Sequence, residues 1–147
     1  CLNEFDGAAL IRSQRLSAGE PGLIPTDYKA HFRALRNGLK AWMDGELTVP
    51  EMPTYASFRR GVLAVIEEIK NTHPDERVLV VSSGGPISTV IGAILETPAH
   101  KTIDINYQIY NTALTTFNVS ASGLRLSSFN ATPHLDPASD AELFTYA

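Results

Sequence analysis

The residues whose types and spacing could support chemistry lie in one short stretch, Ser82-Ser83-Gly84-Gly85-Pro86. An apolar, β-branched run precedes it and an apolar helical pattern follows it. A strand that ends in a glycine-rich turn and opens a helix directs several backbone N–H groups, and the positive end of the helix dipole, at one point. Such a point binds anions such as phosphate. Ser82 and Ser83 would add hydroxyl donors. Gly84 and Gly85 would allow a ligand to approach the backbone closely.

The same stretch has two alternative interpretations. One is a tight strand-to-helix turn that holds no ligand. The other is a nucleophilic serine at Ser83. The nucleophile elbow requires a glycine two residues before the serine and another two residues after it. Val81 occupies the first of these positions, and no spacing in the chain indicates a triad with His134. The sequence therefore favours anion binding over a serine hydrolase.

The histidines do not have the spacing of a metal site. None of the four is placed with another histidine, a cysteine or a carboxylate as metal ligands are; they are His31, His73, His100 and His134. We therefore expect no metal, and no motif indicates a cofactor.

Composition excludes several classes of protein. The 147 residues suit one domain, which we expect to span residues 1–147. A net charge of −4 argues against binding to nucleic acid or to an anionic membrane. No apolar run reaches the length of a membrane span. The single cysteine, Cys1, excludes an internal disulfide and predicts a cytoplasmic location. A homodimer stays an open alternative.

Three helices are predicted before the serine–glycine stretch. The first is a short one over Ala8–Arg15. The second begins at Thr26 or Asp27, either of which could cap it, and ends at Gly45. The third begins at Thr54. In the last two, apolar side chains recur three and four residues apart: Tyr28, Phe32, Leu35, Leu39 and Trp42 in one, and Tyr55, Phe58, Val62, Val65, Ile66 and Ile69 in the other.

Strands are predicted in the second half of the chain. Arg77–Ser82 is typical of a strand buried on both faces, and Ile87–Leu95 predicts the helix that follows it. Thr112–Val119 and Leu124–Phe129 predict a hairpin. Strand, glycine-rich turn and helix in this order indicate an α/β fold.

Four segments together resemble the histidine phosphatase superfamily. Val78–Ile87 is similar to the family's second signature, in which a strand ends in Ser-His-Gly-Gly and a helix follows. Leu2–Asp6 resembles its Leu-x-Glu-x-Asp segment, and Asn111–Thr115 its late strand that begins at asparagine. Asn130–Leu135 resembles its closing Asn…His-Leu. The segments follow one another in the family's order.

The resemblance implies a three-layer α/β/α sandwich of the phosphoglycerate mutase type, which would lack its N-terminal strand in this chain. It also implies hydrolysis or transfer of phosphate from a small phosphorylated substrate through a phosphohistidine. In the family an Arg-His-Gly motif supplies that histidine. Its imidazole attacks phosphorus, while cations and a helix N-terminus stabilise the negative charge.

Two departures from the family pattern bear on activity. The chain begins at Cys1 and contains no Arg-His-Gly, so we expect the natural protein to continue upstream. Without the strand that the upstream segment forms in the family, Val78–Val81 would expose a hydrophobic edge prone to aggregation. Ser83 stands where the second histidine is expected. Serine can donate one hydrogen bond to phosphate but carries no charge, and a Ser-Gly-Gly-Pro version resembles that of a subset of bacterial members.

Two further points follow from the resemblance. Glu51 is the residue nearest to the family's carboxylate general acid, with a solvated loop glutamate as the alternative. For the whole protein, the alternative to an enzyme is a catalytically degenerate member that binds a phosphorylated ligand or a protein. An unrelated α/β domain with a purely structural turn is the third interpretation.

Overall fold

Helices dominate the residues that the computed structural model describes, which are 6–120 and 123–146. The elements, in chain order, are α1 (Gly7–Ser17), α2 (Tyr28–Met43), α3 (Tyr55–Thr72), α4 (Gly84–Ile94), α5 (Ala99–Asn106), β1 (Leu114–Ser120), β2 (Gly123–Ala131) and a 3₁₀ turn (Ala141–Leu143). They fall into two units, Cys1–Val62 and Leu63–Ala147. No helix among the described residues combines the length and the apolar character that crossing a membrane requires.

In the first unit, α1 packs against α2. Asp6 caps α1 by accepting hydrogen bonds from the N–H groups of Ala8 (2.9 Å) and Ala9 (3.0 Å). Leu10 of α1 is fully buried. It lies against Gly38 of α2, where a β-carbon would stand 3.1 Å from the Leu10 carbonyl oxygen. The close approach of the two helices therefore depends on a glycine at position 38.

Trp42 joins the end of α2 to the start of α3. Its side chain is buried, and its indole N–H donates to the Pro53 carbonyl at 2.9 Å. Its ring contacts those of Tyr55 and Phe58, with centroids 5.3 and 5.6 Å away. The apolar spacing in the sequence predicted this face of both helices, and the burial of Trp42 and Phe58 confirms it, whereas Tyr28 at the start of α2 is exposed. The cap of α2 is Asp27, which accepts from the Ala30 N–H at 2.8 Å.

In the second unit, α4 packs against α5, and β1 pairs with β2 in an antiparallel hairpin. The hairpin confirms the predicted pair of strands. In the structure, Phe117 of β1 pairs with Leu126 of β2. Residues 121 and 122, between the two strands in sequence, lie outside the described residues. Helix α5 was not predicted. It is short, and only Thr102 and Ile103 are buried in it, so its sequence has no extended apolar face.

The predicted strand over Arg77–Ser82 is wrong. Residues 77–83 form neither helix nor strand, and 77–82 make no backbone hydrogen bond to another described residue. A strand requires a partner for its N–H and C=O groups, and β-branched residues do not supply one. The apolar side chains stay in solvent instead: Val78 is 44% exposed, Leu79 79%, Val80 48% and Val81 91%.

The α/β character of the fold is confirmed in a coarser form than predicted. The described residues form a mostly helical structure whose one sheet is the two-stranded hairpin. The strand over 77–82 that a three-layer sandwich would include in its sheet is not formed.

Candidate functional site

The serine–glycine stretch opens α4, as the sequence predicted. Ser83 is the N-cap, with an extended backbone (φ −99°, ψ 172°), and the helix begins at Gly84. Pro86 is in the first turn, where its missing N–H removes no helical hydrogen bond. At the start of the helix, the Ile87 N–H donates to the Ser83 carbonyl oxygen at 3.3 Å.

Two backbone donors remain unused at this helix start. The N–H groups of Gly84 and Gly85 have no acceptor among the described residues. The Ser83 hydroxyl makes no capping hydrogen bond, and both Ser82 and Ser83 are exposed. The first turn of α4 contains no acidic residue that would oppose an anion. The stretch can therefore present two amides and two hydroxyls to a negatively charged group.

The two glycines have different surroundings. A β-carbon at Gly84 would stand 2.5 Å from Asn106 Oδ1. The packing of α4 against α5 is therefore enough to require glycine at position 84, whether or not a ligand binds there. A β-carbon at Gly85 would meet nothing within 4 Å. Open space in front of Gly85 fits the approach of a ligand to the backbone, whereas Gly84 is buried. The sequence could not separate these two roles, because Asn106 comes from a helix that its pattern did not reveal.

Behind the serine–glycine stretch, α4 packs closely against α5 through its glycines and contains a side-chain hydrogen bond of its own. The Ser88 hydroxyl donates to the Gly85 carbonyl at 3.0 Å. Further along, a β-carbon at Gly92 would stand 2.6 Å from Thr102 Oγ1. The Thr102 hydroxyl is 2.8 Å from that of Thr97. The helix that carries Gly84 is thus fixed to α5 at both ends of their contact.

No nucleophile–base pair involves the two serines. Neither the Ser82 nor the Ser83 side chain has a hydrogen bond to a histidine or a carboxylate among residues 6–120 and 123–146. In a serine hydrolase the nucleophile lies within hydrogen-bond reach of its base. The geometry therefore gives the serine-hydrolase interpretation no support.

Glu51 lies in the first unit, in a turn closed by a hydrogen bond from the Met52 N–H to the Val49 carbonyl at 3.2 Å. Its side chain is exposed, and its backbone has φ of +64°, which is uncommon for a residue other than glycine. The serine–glycine stretch belongs to the second unit. A role for Glu51 as general acid stays a prediction.

The carboxyl-terminal motif residues have local structural contacts. The side chain of Asn130 accepts from the Tyr110 N–H (2.8 Å) and donates to the Gln108 carbonyl (2.6 Å). His134 Nε2 is 2.9 Å from the Thr112 hydroxyl. Thr112 was missed by sequence reasoning. Its φ is +62°, and a β-branched residue gives no signal of that conformation.

Of the segment Leu2–Asp6, only Asp6 lies among the described residues, and it caps α1.

No group of three or more histidine, cysteine, aspartate or glutamate side chains in the described part of the chain could hold a metal ion. This finding concerns residues 6–120 and 123–146 alone.

Comparison with protein families matches residues 24–132 to the histidine phosphatase superfamily (branch 1). The match covers more than half of the chain and includes the serine–glycine stretch. The chain belongs to the histidine phosphatase superfamily. Searches of curated proteins and of solved structures found no match. Membership in this superfamily, whose members are phosphatases and mutases, confirms the resemblance on which the sequence interpretation rested.

Proposed function

We propose that this member of the histidine phosphatase superfamily acts on a phosphomonoester, as a phosphatase or phosphotransferase, and binds its phosphate at Ser82–Gly85. The observation that carries the proposal is the start of α4, where the amides of Gly84 and Gly85 have no acceptor among the described residues and the first turn contains no carboxylate. The superfamily match includes these residues. A three-layer α/β/α sandwich, which the family implies, is the fold that we propose for the active protein.

Each group would act on the transferred phosphate in a distinct way. The two amides and the helix dipole stabilise the negative charge on the phosphate oxygens, and they need no reorientation as the charge spreads. The hydroxyls of Ser82 and Ser83 add hydrogen bonds. Glu51 would give a proton to the leaving oxygen. The nucleophile that the family resemblance implies is the histidine of Arg-His-Gly, a motif that the 147 residues do not contain.

Titration with inorganic phosphate tests the binding step, with the backbone amide signals followed by NMR. We expect the signals of Gly84 and Gly85 to shift, and we expect Gly85→Ala to weaken the effect because its methyl group occupies the space in front of the amide. Ser57→Ala, which changes a serine in the first turn of α3, is the matched control. Shifts spread over the chain, or none at Gly84 and Gly85, would refute the site.

Turnover of an aryl phosphate tests the reaction. It is measured for this chain and for any longer product that its gene encodes. Activity that requires an Arg-His-Gly histidine supports the phosphohistidine mechanism. If the complete product binds phosphate at Gly84 and Gly85 but has no turnover, the enzyme proposal is wrong.

One observation favours a second candidate function, a degenerate member that binds a phosphorylated ligand without turning it over. Ser83 stands where the family resemblance places a histidine, so this position carries no positive charge. Ser83→His in the complete product separates the candidates. A large gain in turnover indicates a degenerate site, and no gain indicates that serine is sufficient.

A further inference from the structure

A shallow groove of about 390 Å³ lies along the first half of α2, and its lining combines aromatic with basic side chains. We call it the basic–aromatic groove. It is lined by Tyr28, Lys29, Phe32, Arg33 and Arg36. None of these residues belongs to the proposed phosphate site.

The charge of α2 is opposite to that of the whole protein. The helix contains four basic residues and no acidic one, in a chain whose net charge is −4. Three of the four line the groove. Lys29, Arg33 and Arg36 are spaced four and three residues apart, so they lie along one side of the helix over about 10 Å.

Two of these cations have no partner. The side chains of Lys29 and Arg33 form no ion pair or hydrogen bond with another described residue. The contrast on the same helix is Lys40, which pairs with Asp44. Hydrogen bonding to Asp44 raises the pKa of Lys40 above its usual value. Among the described residues, the charges of Lys29 and Arg33 are therefore uncompensated, whereas that of Lys40 is paired with Asp44.

The aromatic part of the groove has an open ring. Tyr28 stacks on Phe32, with ring centroids 6.3 Å apart and an interplanar angle of 28°. Tyr28 is nevertheless 78% exposed. An exposed aromatic ring beside unpaired cations can stack on a planar ligand while the cations bind its phosphates.

We propose that the basic–aromatic groove binds a nucleotide, whose base stacks on Tyr28 and whose phosphates contact Lys29 and Arg33. A binding site for an anion alone would not need the ring, and a site for an uncharged aromatic compound would not need the cations. The volume lies within the range of small-molecule sites.

Calorimetric titration with ATP tests the proposal, with tripolyphosphate as the probe of charge alone and adenosine as the probe of the ring alone. We expect ATP to bind about tenfold more tightly than either, because it uses both parts of the groove. Tyr28→Ser should weaken ATP binding about tenfold and leave tripolyphosphate binding unchanged. Arg33→Gln should weaken both about fivefold and reduce their dependence on salt.

The matched control is Lys101→Gln, which removes one exposed positive charge from α5. It should leave ATP binding unchanged. Tripolyphosphate that binds as tightly as ATP would overturn the proposal, since the ring would then contribute nothing. An equal loss for Lys101→Gln and Arg33→Gln would also overturn it, because attraction to the overall charge would explain the binding. Circular dichroism confirms that each variant is folded.

Discussion

The side-chain oxygen of Asn106 fills the space in which a β-carbon on residue 84 would lie, 2.5 Å from the ideal position of that carbon. Asn106 is the last residue of α5, and Gly84 is the first residue of α4. The contact therefore fixes the start of the helix that carries the proposed phosphate site. A β-carbon on Gly85, one residue further, would meet nothing within 4 Å.

Gly84→Ala should lower the free energy of unfolding by about 1–3 kcal/mol, because a methyl group cannot be placed there unless Asn106 or α4 moves. Urea denaturation measures the change. Gly85→Ala is the matched control and should change stability by less than about 1 kcal/mol. In an Asn106→Ala background, the cost of Gly84→Ala should fall. An unchanged cost in that background would contradict the assignment of the clash to Asn106.

The exposed apolar run Val78–Val81 should cause self-association. Its side chains and unpaired backbone groups offer an edge to another strand, and a lysine within such an edge opposes pairing. For the wild type, the apparent mass measured by light scattering should rise with protein concentration. We expect Val81→Lys to reduce this rise. Leu16→Lys, at a residue of α1 that is 63% exposed, is the control for added charge. If both variants reduce association equally, the run is not its cause.

Asn130 should be sensitive to substitution through both its backbone and its side chain. Its φ is +57°, and its amide group makes the two hydrogen bonds to Tyr110 and Gln108. Asn130→Ala should cost about 3 kcal/mol of stability, from left-handed backbone strain and the loss of both bonds. Asn130→Gly loses the bonds without the strain and should cost about 1 kcal/mol less. Thermal unfolding compares the two, and equal losses would show that the backbone is not strained.

A pH dependence is expected at the contact between Tyr146 and Tyr110. Hydrogen bonding to Tyr110 raises the pKa of Tyr146 above its usual value of 10.0. A raised pKa means that the folded state favours the neutral phenol. The contact with Tyr110 therefore contributes fully to the free energy of unfolding at pH values below the pKa that Tyr146 has in the unfolded chain. This contribution is lost as pH rises through the pKa of Tyr146 in the folded protein.

The measurement is the free energy of unfolding as a function of pH in the alkaline range. The wild type should lose stability above about pH 10 relative to Tyr146→Phe, which has no ionisable group at that position. Tyr28→Phe is the control and should keep the wild-type profile. Parallel curves for the wild type and Tyr146→Phe would contradict the raised pKa.

Local chemistry explains which elements the sequence predicted correctly. Asp27 caps the helix that it precedes, and the apolar face of α2 leads to Trp42, because both signals depend on neighbours within the same helix. The strand at 77–82 failed for the opposite reason. Its residue types favour a strand, but a strand also needs a partner, and no described residue supplies one.

The same distinction applies to the candidate site. A helix was predicted directly after the glycine-rich turn, over Ile87–Leu95, and it forms there but begins three residues earlier, at Gly84. The packing of Asn106 against Gly84 and the contact of Thr112 with His134 join residues 22 apart in sequence. No local pattern encodes such contacts. The roles of Ser83 and Glu51 in catalysis stay predictions, because the two residues lie in separate units.

The tie between Asn111 and Thr145 closes a loop of the second unit that contains the hairpin. The Asn111 N–H donates to the Thr145 carbonyl at 2.7 Å, and their side chains bond at 2.8 Å across 34 residues of sequence. The hairpin of β1 and β2 lies within that loop. Once the hairpin has formed, which takes microseconds, most of the loop is already ordered and its ends have a shorter flexible path to close. We therefore expect the hairpin to nucleate this unit and the Asn111–Thr145 tie to form afterwards.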